Sequence, residues 1–518
     1  MTDQPSTVYD LLVRQVEQRP DAEAMRYGEL AWTWAQVSER VARGAAAQRA
    51  AGMHPGDRVA TLDFNHPSWL EISLTCAQVG TTNVLVNFRL APSEIEYVLN
   101  DSGAEVLFVG PEFAEVVAAL RPRLLKLRRI VQVGGPADEY ETWLDVEPDH
   151  LVHDADPEDS VLQLYTSGTT GYPKGVVLPH RSTLAYCEHV APEVDLRPGD
   201  SFLIAMPLFH IAGTATTLNS LAHGARIVVL RTPEPAALLD LLARERITHT
   251  FLVPALMGVI AALPGAADRD LSALRLMFYG ASPMPMPVLR ACMKVFPNMF
   301  AQVYGMTEAC GATSMLGPAE HADTANEHRL LSAGKAITGV EIEIRDVNTE
   351  APVPTGQVGE VWIRTTQLMS GYWNKREATA AAITEDGWYR SGDAGHLDED
   401  GYLYLTDRIK DMIISGGENI YPAEIERVLA EHPSIADVTV VGVPDAKWGE
   451  VPRAVVVAAA GHTIDPAELL AHCRTQLAGY KCPKAVDVVT ALPRNATGKI
   501  LKKDVRAPYW ANRAHNLV

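Results

Sequence analysis

The chain has 518 residues, of which 47% are hydrophobic and 21% are charged, and its formal net charge is −19. This length predicts more than one domain, and the composition is typical of a globular protein rather than of a disordered or fibrous one. The acidic charge argues against a general surface for nucleic acids or anionic membranes. We therefore expect no nucleic-acid partner.

The cysteines and the apolar segments indicate a cytoplasmic protein. The six cysteines show no C-x-x-C spacing, which favours reduced thiols over a disulfide framework or a zinc site. The first residues lack the basic and apolar regions of a secretory signal peptide. No apolar run approaches the roughly 18–20 residues of a membrane span, so no integral membrane segment is expected.

Helix and strand signals alternate along the first 110 residues. Apolar spacing predicts helices at Val8–Gln18, Trp34–Ala50, Pro67–Gln78 and Glu94–Asn100, the last capped by Ser93. Strands are predicted at Val59–Leu62, Thr82–Val86 and Glu105–Val109. This alternation is typical of a layered α/β fold with parallel pairing.

The alternation resumes after residue 200. Strands are predicted at Phe202–Met206, Ala225–Leu230, Thr250–Val253, Leu274–Tyr279 and Phe300–Tyr304, with helices at Pro235–Glu245 and Val288–Phe296. Several polar or glycine-rich corners follow these strands. Open α/β sheets bind ligands at such strand ends, so we expect the functional residues there.

The pattern changes to short β segments after about residue 335, and a charged stretch, Asp407–Asp411, has no apolar face. Beyond it, helices at Pro422–Glu431 and Pro466–Leu477 and strands at Val438–Val443 and Ala454–Ala458 suffice for a small α+β domain. We predict an N-terminal domain at residues 1–407, a boundary segment at 408–410 and a C-terminal domain at 411–518.

The stretch Tyr165–Gly175 contains three glycines, four Ser or Thr hydroxyls and one lysine, between two apolar runs. Glycine lets backbone N–H groups turn toward an anion, and the hydroxyls and Lys174 add donors and a positive charge. The alternative is an ordinary Gly/Thr hairpin turn. The spacing differs from a Walker A loop, because Pro173 precedes the lysine and Gly175 follows it. The composition of the stretch favours a polyphosphate ligand.

This stretch closely resembles the signature loop of the adenylate-forming superfamily, which includes acyl-CoA synthetases, aryl-CoA ligases, luciferases and peptide-synthetase adenylation domains. The resemblance implies a large layered α/β N-terminal domain with a small mobile α+β C-terminal domain. It also implies that ATP phosphates are held by Thr166, Ser167, Gly168, Thr169, Thr170, Gly171 and Lys174.

Tyr304–Glu308 resembles the aromatic-Gly-x-Thr-Glu motif of the superfamily. The resemblance implies that Tyr304 lies against adenine, that Thr307 donates to the α-phosphate and that Glu308 binds Mg²⁺. Alone, the motif is also compatible with a glycine turn and a surface glutamate. Further ATP contacts implied nearby are Gly280, Ala281, Ser282, Gln302, Gly305 and Met306.

Two motifs in the later part of the chain complete the nucleotide site that the resemblance implies. Ser391-Gly392-Asp393 is similar to the ribose site, with Asp393 and Arg408 as contacts, although Gly-Asp is also common in Asx turns. Lys499 matches the mobile catalytic lysine, whose ammonium draws the carboxylate and α-phosphate together. Lys410 lies where the superfamily pivots.

The segment Pro207–His210 resembles the motif whose histidine, here His210, borders the acyl pocket and joins the catalytic set. A lone histidine is also often a core residue. The other implied pocket residues are Ala212, Gly213, Val253, Gly280, Met306 and Met315. Small residues at 212 and 213 suggest room for an extended acyl chain or a substituted aromatic ring.

Ser415–Pro422 closely resembles the fatty-acyl and aryl-CoA ligase branch. The coenzyme A contacts implied are Gly416, Gly417, Trp448, Tyr480, Lys481 and Lys484. Cys482 departs from the pattern, because some relatives carry arginine there.

The resemblance implies an ATP-dependent, AMP-forming acid–CoA ligase that uses Mg²⁺ and acts on a fatty or an aromatic, phenylpropenoic acid. Sequence leaves the acid open and allows a homodimer. One alternative is a stand-alone adenylating enzyme that loads a carrier protein. Another is a degenerate nucleotide-binding scaffold, but Lys174, Glu308 and Lys499 are all present.

Overall fold

The computed structural model describes residues 5–511, apart from residues 167–172, 283, 297–298, 416–417, 446, 478, 480 and 495–499. The chain divides into two compact units. The large unit comprises residues 1–283, 290–341 and 363–389, and the small unit comprises residues 284–289, 342–362 and 390–518. The domain boundary at 408–410 stays a prediction.

The large unit contains two sheets. The nine-stranded sheet has the spatial order Lys335–Ala336, Gly311–Leu316, Phe300–Met306, Leu276–Gly280, His249–Leu252, Ser201–Ile204, Arg226–Val229, Glu23–Tyr27 and Leu30–Thr33. The seven-stranded sheet has the order Gly371–Tyr372, Lys174–Pro179, Ser160–Thr166, Thr82–Leu85, Arg58–Leu62, Val106–Val109 and Arg129–Gln132. In the nine-stranded sheet, pairing is parallel in the middle and antiparallel at both edges. In the seven-stranded sheet, pairing is antiparallel at the Gly371–Tyr372 edge and parallel from Ser160–Thr166 to the Arg129–Gln132 edge.

Helices connect these strands. Those of the first half are Val8–Gln18, Trp34–Ala50, Ser68–Val79, Pro92–Ser102, Ala114–Leu120, Tyr140–Trp143, His180–Val194 and Ile211–His223. Those that follow are Pro235–Arg244, Pro254–Ala261, Met286–Val295, Pro318–Ala322 and Arg376–Ala382. Short 3₁₀ segments occur at Pro111–Phe113, Arg121–Arg123, Ala266–Asp268, Thr307–Ala309, Thr324–Leu331 and Ile409–Asp411.

The first two helices begin where the sequence predicts, because each has a complete capping box. Thr7 and Asp10 exchange side-chain-to-backbone hydrogen bonds at the first, and Thr33 and Gln36 do so at the second. The predicted cap at Ser93 is wrong. That helix starts at Pro92, and the Glu94 carboxylate accepts from the Ala91 N–H at 2.8 Å instead.

The central strands of the seven-stranded sheet are almost entirely buried, which is typical of parallel strands covered on both faces. One apolar cluster, including Leu62, Val84, Val98 and Leu107, lies on one side. A second cluster contains Val59, Ile72, Phe108 and Val131. Together, these clusters cover strands Arg58–Leu62 and Val106–Val109 on both faces.

The small unit contains strands of different lengths and, among its described residues, the helices named below together with the first turn of Met286–Val295. A four-stranded sheet, most of it in this unit, has the order Val340–Arg345, Gly359–Thr365, Tyr389–Leu397 and Leu403–Arg408. A second sheet has the order Glu418–Ile420, Ile413–Ser415, Gly449–Ala458 and Ile435–Asp445, with Ala485–Val489 parallel to Gly449–Ala458. The helices are Pro422–Ala430, Pro466–Gln476 and Lys502–Trp510.

In the part of the chain that the structure describes, no helix has both the length and the hydropathy needed to span a bilayer.

Candidate active site

The predicted phosphate loop joins two paired strands of the large unit. Strand Ser160–Thr166 is antiparallel to Lys174–Pro179, and Thr166 lies opposite Lys174. The predicted phosphate contacts between them, Ser167, Gly168, Thr169, Thr170 and Gly171, lie outside the described residues. Thr166 and Lys174 therefore mark the two ends of the loop, at the point where the strand pair finishes.

Hydrogen bonds from residues distant in sequence hold the ends of this loop. The Tyr165 hydroxyl donates to Asp101 Oδ2 at 2.8 Å, and the Tyr97 hydroxyl donates to the Pro173 carbonyl at 3.3 Å. Trp373 Nε1 donates to the Asp101 carbonyl at 3.0 Å. Burial, and then the charge of Asp101, raises the pKa of Tyr165, so its phenol remains a hydrogen-bond donor.

Glu308 lies in the 3₁₀ turn Thr307–Ala309, directly after strand Phe300–Met306. Its Oε1 accepts from the Tyr372 hydroxyl at 3.0 Å and from Thr166 Oγ1 at 3.3 Å. Lys174 Nζ lies 4.7 Å from the centroid of the Tyr372 ring, within the range of a cation–π interaction. The structure thus brings together three predicted residues from two motifs, around a tyrosine that the sequence analysis missed.

Tyr372 belongs to a two-residue strand. It pairs antiparallel with strand Lys174–Pro179, so that Tyr372 lies opposite Val176 and Gly371 opposite Val177. Two residues are too few for a periodic pattern. The aromatic pair Tyr372-Trp373 after a glycine is the one sequence signal that could have drawn attention to this position.

A second tyrosine lies beside Glu308. Tyr389 is 5% exposed, and burial, followed by the nearby charge of Glu308, raises its pKa well above the ordinary value. Its phenol is therefore neutral at physiological pH. Within the described ranges, no group of three or more His, Cys, Asp or Glu side chains is arranged to hold a metal ion. The donors that contact the Glu308 carboxylate in the described residues are the Thr166 and Tyr372 hydroxyls.

The predicted adenine contacts lie at the ends of two neighbouring parallel strands. Gly280 ends strand Leu276–Gly280 and pairs with Val303. A Cβ at Gly280 would lie 2.3 Å from the Val303 carbonyl oxygen, so only glycine fits beside this strand. Ala281 follows with φ of +64°, a left-handed conformation that is uncommon for alanine. The strand therefore turns sharply at its end.

The remaining members of this set flank that turn. Ser282, Gly305 and Ala281 are exposed, whereas Gln302, Tyr304, Met306 and Thr307 are half-buried. Gln302 Oε1 accepts from the Tyr279 hydroxyl at 3.3 Å, and the Tyr304 carbonyl accepts from Thr313 at 3.2 Å. All of these residues therefore lie at or near the carboxyl ends of two neighbouring strands of the nine-stranded sheet.

The predicted acyl-pocket residues converge at the same edge. They lie at the carboxyl ends of four adjacent parallel strands. His210 and Val253 follow strands Ser201–Ile204 and His249–Leu252, whereas Gly280 and Met306 are the last residues of strands Leu276–Gly280 and Phe300–Met306. His210 and Val253 each precede a helix, and the His210 ring centroid lies 4.4 Å from that of Phe209. Ala212 is half-buried and Met315 is 8% exposed. The carboxyl ends of adjacent parallel strands lie on the same side of a sheet, which explains why these predicted pocket residues come together.

Gly213 does not leave the room that its small size suggests. A Cβ at this position would lie 2.4 Å from the Pro207 carbonyl oxygen, so the polypeptide backbone occupies the space of the missing side chain. The glycine is required for the close approach of helix Ile211–His223 to the segment before it.

In the small unit, the strand register places two predicted ribose contacts opposite each other. Asp393 pairs with Arg408 across antiparallel strands. Asp393 is 8% exposed, and its N–H donates to Ser391 Oγ at 3.0 Å. Gly392 N–H donates to Glu360 Oε1 at 3.0 Å. Asp393 therefore lies in strand Tyr389–Leu397 rather than in a surface Asx turn.

The predicted coenzyme A contacts are only partly described. Gly416, Gly417 and Tyr480 lie outside the described residues, as does the predicted catalytic Lys499. Trp448 is 42% exposed, with Lys447 Nζ 4.5 Å from its ring centroid. Lys481 Nζ forms an ion pair with Glu424 at 2.8 Å, and Lys484 is exposed.

Two further positions bear on the predicted hinge and on the coenzyme A contacts. The backbone at Lys410 forms the short 3₁₀ turn Ile409–Asp411, directly after strand Leu403–Arg408. Cys482 is 5% exposed and packs in the apolar cluster of Ile425, Val428 and Leu469. The Cys482 side chain is therefore part of this apolar cluster and supplies no positive charge for a ligand.

Comparison with known proteins identifies the family. The pattern of the AMP-binding enzyme family matches residues 12–373, and that of the AMP-binding enzyme C-terminal domain matches residues 424–499. Feruloyl-CoA synthase of Amycolatopsis sp. is 43% identical, over 95% of this chain and 97% of its own. The fatty acid–[acyl-carrier-protein] ligase ScoC of Streptomyces coeruleorubidus is 39% identical, over 94% and 93%.

A solved structure shares the fold. The amide bond synthetase McbA from Marinactinospora thermotolerans superposes with a TM-score of 0.87 at 31% identity, covering 97% of this chain and 100% of the other. The chain therefore belongs to the family of AMP-binding enzymes and has the adenylate-forming fold, as its motifs predict. Within that family it is an ATP-dependent acid–CoA ligase that forms AMP and acts on a small-molecule carboxylic acid.

Proposed function

We propose that this enzyme activates an aromatic or fatty carboxylic acid with magnesium-bound ATP and transfers the acyl group to coenzyme A, using the residues named above. The observation that supports these roles is the convergence of Thr166, Lys174 and Glu308, from motifs 142 positions apart, at one edge of the large unit. An anion-binding loop, a cation and a carboxylate are what a metal-bound polyphosphate requires.

The donor set around Glu308 fits Mg²⁺ in this role. Oε1 is occupied by the Thr166 and Tyr372 hydroxyls, whereas no donor from the described residues reaches Oε2. A carboxylate with one free oxygen is a hard ligand that Mg²⁺ accepts, and this ion commonly takes its remaining ligands from water and phosphates. When bound, the ion neutralises phosphate charge. Glu308 is then the residue that holds it.

The other predicted residues bind ATP and catalyse formation of the acyl-adenylate. The loop at 166–171 and Lys174 bind the β- and γ-phosphates, Thr307 donates to the α-phosphate, and Tyr304 lies against adenine. Lys499 brings the substrate carboxylate to the α-phosphate and offsets the charge that develops as pyrophosphate leaves. The product, an acyl-adenylate, is a mixed anhydride with an activated carbonyl. The thiol of coenzyme A attacks that carbonyl, and AMP leaves.

The second step requires a different set of residues. We propose that the domain beyond residue 410 rotates about Lys410, which moves Lys499 away and brings Gly416 and Gly417 to the pantetheine arm. Trp448, Lys481 and Lys484 contact the nucleotide of coenzyme A in this step, whereas Asp393 and Arg408 hold the ribose hydroxyls of ATP. Lys481 must then exchange its ion pair with Glu424 for that contact. The cytoplasmic location and the homodimer stay predictions.

The relatives favour an aromatic acid as the first substrate to test. The feruloyl-CoA synthase, at 43% identity, suggests a phenylpropenoic acid such as ferulate. The experiment is a pyrophosphate-release screen with ferulate, 4-coumarate, benzoate, indole-3-acetate and long-chain fatty acids. We expect ferulate or 4-coumarate to give the highest kcat/KM. Activity confined to fatty acids would reject the aromatic class.

A carrier protein is the second candidate acceptor, because the ScoC ligase is 39% identical over almost the whole chain. The assay supplies the acyl-adenylate with either coenzyme A or a phosphopantetheinylated carrier protein and measures thioester formation. We expect coenzyme A to be acylated. Acylation of the carrier alone would mean that the enzyme forms the same acyl-adenylate but uses a carrier protein as its acceptor.

A further inference from the structure

Tyr372 contacts both Glu308, which the proposed function assigns to Mg²⁺, and Lys174, which it assigns to the ATP phosphates. Its hydroxyl donates to Glu308 Oε1 at 3.0 Å, and its ring lies 4.7 Å from Lys174 Nζ. The hydroxyl and the ring act on different partners, so one side chain fixes both the carboxylate and the ammonium. We propose that Tyr372 is a positioning residue that prepares Glu308 for Mg²⁺ and Lys174 for the phosphates.

The backbone around Tyr372 is fastened on both sides, so that the ring is well positioned. Its N–H donates to Thr379 Oγ1 at 2.9 Å, and the next N–H, that of Trp373, donates to the Gly175 carbonyl at 2.7 Å. The Trp373 ring in turn lies 3.4 Å beneath the Arg58 guanidinium. Tyr372 is therefore attached to the strand that carries Lys174.

The hydroxyl sets which oxygen of Glu308 is available. A carboxylate can rotate about its terminal torsion, which is broad and roughly two-fold. The donors on Oε1, from Tyr372 and Thr166, hold one oxygen, and the other remains free of donors from the described residues. Hydrogen bonds to a charged group are stronger than neutral ones. The free oxygen is thus oriented before the metal arrives, which lowers the entropic cost of binding it.

The ring has a separate effect on Lys174. A lysine side chain has many rotamers, and the ring face attracts its ammonium electrostatically. Holding the ammonium against this ring, rather than in solvent, keeps it at the end of the loop where the phosphates are expected. Removal of the hydroxyl alone should therefore disturb the metal, whereas removal of the ring should disturb the metal and the phosphates.

Two variants, Tyr372→Phe and Tyr372→Leu, separate these roles. The measurement is ATP affinity by calorimetry, without acid or coenzyme A, once with excess Mg²⁺ and once with EDTA. In Tyr372→Phe we expect the tightening of ATP binding by Mg²⁺ to fall about five- to tenfold, while metal-free ATP binding is unchanged. In Tyr372→Leu we expect metal-free binding to weaken as well, by about threefold.

The matched control is Tyr140→Phe, which removes the hydroxyl of another tyrosine of the large unit, 3% exposed and packed on Phe108. It should lower the melting temperature and leave the Mg²⁺ effect at the wild-type value. Full Mg²⁺ tightening in Tyr372→Phe, or an equal loss with and without Mg²⁺, would overturn the positioning role.

The inference rests on the proposed function, but the two fail differently. Suppose that wild type shows Mg²⁺-dependent ATP binding that depends on Tyr372, but that none of the acids in the screen leads to pyrophosphate release. The positioning role then stands, and the proposed substrate class is rejected. If wild type releases pyrophosphate with these acids and Tyr372→Phe has the wild-type Mg²⁺ effect on ATP binding, the proposed function stands and the positioning role is rejected. An absence of any Mg²⁺ effect on ATP binding in wild type rejects both.

Discussion

The Thr166 hydroxyl lies 3.3 Å from Glu308 Oε1, although the two residues are 142 positions apart in the chain. Thr166 ends a strand of the seven-stranded sheet, and Glu308 follows a strand of the nine-stranded sheet. The contact therefore joins the two sheets of the large unit at their functional edges. It links the predicted phosphate loop to the predicted metal ligand. Substitutions at these positions therefore test the two predicted roles.

Replacing Glu308 with glutamine tests the metal role. Glu308→Gln preserves the shape of the side chain but removes the negative charge, so we expect turnover to fall at least tenfold and the Mg²⁺ requirement to rise. The melting temperature should change little, because Glu308 is not part of an apolar core. The measurement is acid-dependent pyrophosphate release against Mg²⁺ concentration. Glu327→Gln, at an exposed ion pair with Arg290, serves as the control. Wild-type Mg²⁺ dependence in Glu308→Gln would reject the role.

A second prediction concerns the ribose site of the small unit. Asp393 is nearly buried and lies opposite Arg408 in the sheet. If its carboxylate accepts both ribose hydroxyls, Asp393→Ala should raise the KM for ATP about ten- to hundredfold, the effect of roughly 1.5–3 kcal/mol. Wild type should also use 2′-deoxy-ATP poorly. Unchanged ATP kinetics in the variant would place the ribose contact at another residue.

The amphipathic elements of this fold could be predicted, whereas several site contacts could not. Apolar spacing alone predicts helices Val8–Gln18 and Trp34–Ala50 to the residue, and the structure shows that Thr7 and Thr33 cap them. Helix Ile211–His223 was not, because nine of its residues are buried and no polar face reveals its period. The contact of Tyr372 with Glu308 depends on a two-residue strand pairing, which leaves no local signal.

Stability should decrease in acid, in part through His180. This ring is 1% exposed, its Nδ1 accepts from the Val8 N–H at 3.0 Å, and burial lowers its pKa to about 4. The folded chain therefore binds the proton less readily than the unfolded chain, whose histidine titrates near 6.5. The stabilisation is complete above about pH 6.5 and is lost as the pH falls toward 4, by roughly 3 kcal/mol at most.

The variant His180→Asn isolates this contribution, because asparagine offers an acceptor to Val8 without titrating. We expect its unfolding free energy to vary less between pH 7 and pH 4.5 than that of wild type, in urea titrations followed by fluorescence. His462→Asn, at an exposed histidine, is the control and should retain the wild-type slope. An identical pH dependence in His180→Asn and wild type would contradict the assignment.

The catalytic lysine has a prediction of its own. If Lys499 acts only while the carboxylate attacks the α-phosphate, Lys499→Ala should abolish adenylation and leave thioester formation from supplied acyl-AMP largely intact. Each half-reaction is followed separately, by pyrophosphate release and by thioester yield. Equal loss in both half-reactions would show that the two steps share this lysine.

The predicted hinge is tested by restricting one backbone torsion. The 3₁₀ turn Ile409–Asp411 follows strand Leu403–Arg408, and hinges are commonly a few such element-terminal residues. Proline at position 410 would fix φ near −65° and remove an N–H. We expect Lys410→Pro to form acyl-adenylate at a near-normal rate and acyl-CoA slowly, because adenylation requires one domain orientation and thioester formation requires the other.

Single-turnover kinetics of each half-reaction distinguish the outcomes for Lys410→Pro. Pyrophosphate release reports the first step, and thioester formation from supplied acyl-AMP reports the second. Lys410→Ala is the matched control, since it removes the same side chain and leaves the backbone free to rotate; it should retain both steps. Loss of adenylation with retention of thioester formation would mean that the proline fixes the opposite orientation. Wild-type rates for both steps would place the pivot elsewhere, because a rotation through residue 410 cannot proceed when its φ is fixed.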